Sequence, residues 1–281
     1  MEKNAKSIPI LDAYLKDLQE SFNRLKAQMS PALDVQETMQ KYFQQLIQQI
    51  TEAQNSFQKD LELYSEQWQK LSEQLQQRFN ELPLLTQEAL LLLGKHGWYL
   101  DLEMTDEYLW WLTDNFAKGN ETKAENALVG YFEGRLSEIE TSITKRFPHR
   151  GHLIKAAFSA HQRQEFELSI PVLLAQTDGI CKEVVNQYLF RKTNGKPLTA
   201  IYVEQIIADT YDAALLSPLA KTLPINASEK ERPTDSSALN RHTVLHGESL
   251  DYGSKINSLK AISLINYVTH VLEVEKKSPL K

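Results

Sequence analysis

Residues 57–82 read FQKDLELYSEQWQKLSEQLQQRFNEL, and their apolar positions set the architecture of the chain's first third. Phe57, Tyr64 and Leu71 are seven apart, as are Leu61, Trp68, Leu75 and Leu82, while the other positions are rich in glutamine, glutamate and lysine. That spacing predicts one long helix with a heptad seam. Traced backwards through Ile50, Leu46 and Met39, the pattern starts near Asp34, a residue suited to an N-cap. Such a helix would be roughly 70 Å long. No globular core is that wide, so it needs a long partner, and a second copy of the chain is the simplest one. An earlier amphipathic stretch carries Leu11, Tyr14, Leu15, Leu18, Phe22 and Leu25 at three- and four-residue steps and stops at Ser30-Pro31. Residues 1–82 therefore read as a helical hairpin or coiled-coil arm.

The rest of the chain continues in helices. Pro83 is expected to break the seam, and residues 84–95 to form a buried helix. Thr105 caps a short helix through Asn115 that carries Trp110 and Trp111. Tandem tryptophans can stack on bases or sugars, though packing is their commoner use. A charged helix follows over 122–147 and ends at Pro148. Further patterns cover 152–163 and 169–192, the second with Pro171 in its first turn, where a missing N–H is harmless. Asn194-Gly195-Lys196-Pro197 marks a turn. A helix over 199–214 leads into the polar stretch Leu223–Ser236, which reads as a mobile loop. A short helix over 236–246 stops at Gly247, and a last one runs over 255–273. With no strand alternation anywhere, the expected fold is all-α: an arm at 1–82, a middle region at 83–147, a helical domain at 148–275 and a tail at 276–281.

Composition narrows the function. The chain has 281 residues, 42% of them hydrophobic, and 10 glycines, where average usage gives about twenty. Long helices fit that composition better than a turn-rich β-sandwich. A single cysteine, Cys181, excludes an internal disulfide and a cysteine-based zinc cluster. No run approaches eighteen uninterrupted apolar residues, so no membrane span is expected. The first residues lack the apolar stretch of a signal peptide, and a soluble cytoplasmic protein is expected. Net charge is −6, which argues against a surface that grips nucleic acid all over. It is unevenly spread: −3 over residues 1–82 (9 basic, 12 acidic), −5 over 83–147 (6 and 11) and +2 over 148–281 (16 and 14). An anionic ligand belongs to the last of these.

His149 and His152 are three apart, and His242 and His246 are four apart. The second pair has helical metal-site spacing. Position 243 is threonine rather than the glutamate of an H-E-x-x-H site, and no third ligand is near, so no metal or cofactor is expected. Phosphate-cradling glycine loops and a G-x-S-x-G elbow are absent from the sequence. The informative stretch is Asn240-Arg241-His242-Thr243-Val244-Leu245-His246-Gly247. Arginine grips phosphate oxygens with a planar fork of donors, and histidine exchanges a proton near neutral pH. Together they suffice to cleave RNA without metal: a base takes the 2′-hydroxyl proton, a cation stabilises the phosphorane, and an acid protonates the departing 5′-oxygen. The second proton carrier is His242 or the His246 of a partner chain. The same residues also suit a helix-end salt bridge and a histidine at the C-terminal dipole. Arg241 and His246 lie about 140° apart around a helix, so they meet only in a cleft along it or between two protomers.

Arg241-His242-x-x-x-His246 resembles the R-x-x-x-x-H signature of the HEPN superfamily (higher eukaryotes and prokaryotes nucleotide-binding). The order of elements over 149–192, 223–235, 236–247 and 255–273 resembles it too. The segments SIPVLLAQTDGI (Ser169 to Ile180) and Asn240 to Leu264 look like an uncharacterised bacterial branch. The resemblance covers residues 148–275. It implies a metal-independent endoribonuclease acting as a homodimer, in toxin–antitoxin or antiphage defence. Arg241 would hold phosphate and His246 do acid/base work, with His242, Asn240 and Asp178 as accessories. An antitoxin or trigger protein would engage residues 1–82. The rival expectation is a non-catalytic helical interaction protein that binds nucleotide or RNA and assembles through its coiled-coil arm.

Overall fold

A computed structural model describes residues 61–204, 211–232 and 238–272, with a few helical residues between 16 and 48; side chains are described from Leu71 onward, apart from those of Arg78 and Phe79. The arm helix at Ile10–Met29 and the seam from Asp34 to Asp60 therefore lie mostly outside the described residues. Among the described residues the regular structure is helical, apart from one small hairpin. The helices are α1 (Leu61–Lys95), α2 (Asp106–Ala117), α3 (Glu121–Arg146), α4 (Gly151–Gln162), α5 (Phe166–Val185), α6 (Leu198–Glu204), α7 (Tyr211–Ala220), α8 (Arg241–Leu245) and α9 (Lys255–Val271). The all-α expectation holds, and no helix of the described residues is long and apolar enough to cross a membrane.

Helix α9 is the axis of the fold. Its N-cap Ser254 accepts from Asn257 N, and Leu259, Ile262, Ile265, Tyr267 and Val268 are fully buried along it. It packs against α5 and α3, α4 packs on α5 and α3, and α2 lies between α1 and α3. Helix α1 also rests on α7, which α6 contacts too. Tyr267 Oη reaches across to donate to the Leu215 carbonyl of α7, tying the two parts together inside the core.

Pro83 does not end a helix. Helix α1 runs through it for 35 residues. A proline removes only its own N–H and crowds one carbonyl four residues earlier. The C-terminal half of α1 is anchored by Ala89, Leu90 and Leu93 in the core, and that packing outweighs the local defect. Of the seam, Leu75 and Leu82 are half-buried, whereas Leu71 is 43% exposed, as are the neighbouring Leu84 (58%) and Leu85 (42%).

Pro171 is likewise not a first-turn residue, because α5 begins at Phe166. The carbonyl that loses its partner is that of Glu167, and Tyr252 Oη donates to it at 3.0 Å. A side chain from the other end of the domain thus repairs the helix. Helix α5 also ends earlier than 192. Asn186 adopts a left-handed conformation (φ 56°), and Lys182 Nζ holds its carbonyl and its amide oxygen at 2.9 and 2.6 Å. Further on, the expected turn closes a two-residue hairpin, β1 (Lys192–Thr193) and β2 (Lys196–Pro197). Asn194 (φ 53°) and Gly195 (φ 77°) both need the left-handed region, as this tight turn requires. Strands of two residues leave no alternation to see. The helix expected over 199–214 corresponds to α6 and α7, which reaches Ala220.

Candidate functional site

Helix α8 is only five residues long and contributes one buried side chain, Val244. Propensity cannot hold so short a helix, so its ends do. Asn240 Oδ1 accepts from His242 N (2.9 Å) and Thr243 N (3.2 Å). Asn240 Nδ2 donates to the carbonyls of Pro224 (2.6 Å) and Ala227 (2.9 Å). At the other end, Glu248 N and Ser249 N donate to the Thr243 carbonyl, and Gly247 supplies the left-handed turn (φ 71°). The helix expected over 236–246 is therefore shorter, and Asn240 is its cap, 4% exposed, with its amide engaged in four backbone contacts.

The loop before α8 is pinned along its described part, where sequence predicts mobility. Leu223 N donates to Asn226 Oδ1 (2.8 Å), Ser228 donates to Glu231 through both N–H and hydroxyl, and Lys192 of the hairpin donates to the same Glu231 carboxylate at 2.5 Å. The Lys192 and Ser228 hydrogen bonds hold the Glu231 carboxyl far below its ordinary range, at about 2. The polar residues that suggest a loop in the sequence are the ones that fasten it.

Between this loop, the hairpin and α8 lies a cleft of about 140 Å³ whose lining includes Phe190, Lys192, Ser228, Glu229, Arg241 and His242. That is room for one flat ring or one phosphate, well below the ~300–1,000 Å³ of a whole small-molecule pocket. Arg241 sits over the Phe190 ring, 5.6 Å from its centroid. Its guanidinium is 4.0 Å from Asp178 of α5. The Arg241 Nε is buried with no acceptor among the described residues. Asp178 accepts from Phe190 N at 3.3 Å. Burial raises its carboxyl above the usual range, against the pull of the Phe190 and Leu189 amides and of Arg241.

His242 and His246 stand together on the exposed side of α8, ring centroids 4.2 Å apart and tilted by 54°. His242 Nε2 is 3.8 Å from Glu248. His246 is the C-cap residue, exposed, and is not part of the cleft wall. Five predicted residues thus gather around one short helix: Arg241 and His242 line the cleft, Asp178 faces Arg241, His246 adjoins His242, and Asn240 shapes the backbone beneath them. Phe190, Lys192 and Ser228 are cleft residues that the motif-based reading passes over.

The other sequence candidates sit in ion pairs or in the core, away from the cleft. His149 and Arg150 both reach Glu183 at 3.0 Å. Trp110 and Trp111 pack half-buried against the core, the second beneath Lys123 at 5.1 Å. Cys181 is buried, which pushes its thiol up to about 12. Among the described residues no three His, Cys, Asp or Glu side chains gather to hold a metal ion. Compared with known proteins, the chain matches no family model, and neither a curated protein nor a solved structure is significantly similar to it.

Proposed function

We propose that this protein is a metal-independent endoribonuclease of HEPN type, acting in the cytoplasm as a homodimer in toxin–antitoxin or antiphage defence. The observation that carries the reading is the Arg241 guanidinium held at a cleft, with an imidazole pair on the same short helix. The chemistry needs one imidazole as base and one as acid, and two rings with centroids 4.2 Å apart supply both groups at one place. A neutral imidazole takes the 2′-hydroxyl proton, the 2′-oxygen attacks phosphorus, and Arg241 stabilises the phosphorane. The P–O5′ bond breaks as the charged imidazole returns a proton to the 5′-oxygen. The products are a 2′,3′-cyclic phosphate and a 5′-hydroxyl. Arg241 has to leave Asp178 to engage phosphate, and the buried, proton-retaining tendency of Asp178 weakens the grip it must break.

The test uses the purified full chain, unstructured RNA and excess chelator. Arg241→Ala and His246→Ala should each lower cleavage about 100-fold or more, the scale of losing one transition-state donor. Cleavage that persists in both variants, or that needs added magnesium, overturns the reading. An antitoxin or trigger bound by residues 1–82 belongs to the same proposal and would be sought by co-purification with and without that segment.

A further inference from the structure

The residues between α5 and α6 stand out from the rest of this acidic chain. Residues 184–203 contain no carboxylate and three cations, Arg191, Lys192 and Lys196. Lys192 is neutralised by Glu231 and Lys196 by Glu204. Arg191 is exposed and makes no direct ion pair among the described residues. Its guanidinium instead lies over Tyr188, 5.5 Å from the ring centroid, and Lys182 Nζ lies 5.2 Å from the same ring. Two residues on, Phe190 carries Arg241 in the same way. Leu189 between them is 4% exposed and anchors the segment in the core, leaving Tyr188 and Phe190 half-exposed on either side.

This is a repeated arrangement of aromatic ring and guanidinium, ending at the Arg241 cleft. Planar aromatic and guanidinium faces are what unstacked bases lie on, and arginines beside them neutralise the connecting phosphates. A duplex cannot use such faces, because its bases are already stacked on one another. In the large groove on the other side of α8, about 1,110 Å³, five carboxylates to three cations line the walls, a poor site for a polyanion, whereas two cations, Lys192 and Arg241, and one carboxylate, Glu229, line the Arg241 cleft. We infer that Tyr188, Phe190, Arg191 and Arg241 form a docking strip for single-stranded RNA, with bases on the ring and guanidinium planes and backbone phosphates on the two arginines. The inference rests on the reading above that RNA is the substrate, and adds the form of RNA and the direction from which it enters.

Binding is read with a fluorescent 2′-O-methyl oligonucleotide of about 12 nucleotides, which has no 2′-hydroxyl to attack, alone and annealed to its complement. The full chain should bind the single strand at least about tenfold more tightly than the duplex. Tyr188→Leu and Arg191→Gln should each weaken single-strand binding by about five- to tenfold. Arg191→Gln should also lower the slope of log affinity against log salt by about 0.7, the share of one phosphate contact on a single strand. Arg191 is exposed, so its variant keeps the test valid if Tyr188→Leu misfolds. Duplex binding as tight as single-strand binding, or both folded variants within twofold of the parent, overturns the strip. Cleavage of unmodified RNA is scored separately. Cleavage unchanged in these variants leaves the nuclease standing without the strip, whereas variant-sensitive binding with no cleavage leaves the strip standing without the nuclease.

Discussion

Helices α8 and α9 are separated by nine residues and are held in opposite ways. Twelve of the seventeen residues of α9 are buried, against one of the five in α8. Burial fixes α9, and each apolar side chain contributes through the water it excludes. Hydrogen bonds from Asn240 to its own helix and to the preceding loop fix α8. The fold therefore rests chiefly on buried apolar surface, and the site depends on a few directional contacts that add little of it.

Substitutions can break or sharpen that contrast. The largest effect belongs to α9: Ile262→Ala, at a fully buried position, should lower unfolding stability in urea by about 2–5 kcal/mol. A loss below about 1 kcal/mol would show that α9 is not the axis. Next is Asn240→Ala, which removes the cap and strands the Pro224 and Ala227 carbonyls, for about 1–3 kcal/mol in the same measurement. Asn240→Asp keeps the acceptor for His242 N and Thr243 N but not the donor to the loop, so it should recover only part of the loss.

A smaller effect depends on pH. His161 of α4 is buried, and burial lowers its pKa from the usual value. Its Nδ1 is 2.7 Å from Ser258 Oγ on α9, which donates to Ser169 at 3.2 Å. The folded state thus favours the neutral ring. Its contribution is present above the unfolded pKa, near about 6.5, and is lost as pH falls through the lower folded value. Urea midpoints should drop across that window, and His161→Gln should flatten the drop. Smallest is Glu231→Gln. The folded carboxyl lies near 2, so its stabilisation is present above the normal carboxyl range and fades as pH falls towards that value. The side chain is 32% exposed, and with solvent screening the loss at neutral pH should be about 0.5 kcal/mol or less. Proteolysis within residues 221–232 should nonetheless quicken, since the loop has lost its fastening.

These contrasts explain what the sequence could convey. Thr105 as the cap of α2, the span of α3 and the course of α9 are local matters of capping and periodicity, and all three are legible within a residue or two. Pro171 is misleading because its remedy, Tyr252, lies 81 positions away in the chain. Residues 223–232, the described part of the polar stretch before α8, mislead for a related reason: serine, asparagine and glutamate look the same in a sequence whether they face water or pin one another. At the candidate site, the chemistry of the residue types in Asn240–Gly247 points to Arg241, His242 and His246, and the expected resemblance adds Asp178. The cleft wall formed by Phe190, Lys192 and Ser228 requires the hairpin and the loop to be folded against α8. One signal was available in advance, the interleaved aromatic and basic residues of Tyr188–Lys192.

Arg150 gives Gly179 a meaning that neither has alone. The guanidinium contacts Gln176, the Gly179 carbonyl and Glu183, three points along one stripe of α5, and a Cβ at position 179 would come within 2.7 Å of it. The arginine thus works as a peg in a notch, indexing the rotation of α5 about its own axis. Asp178 stands one residue, about 100°, from the notch. Its aim at Arg241 is set from the far flank of the same rod.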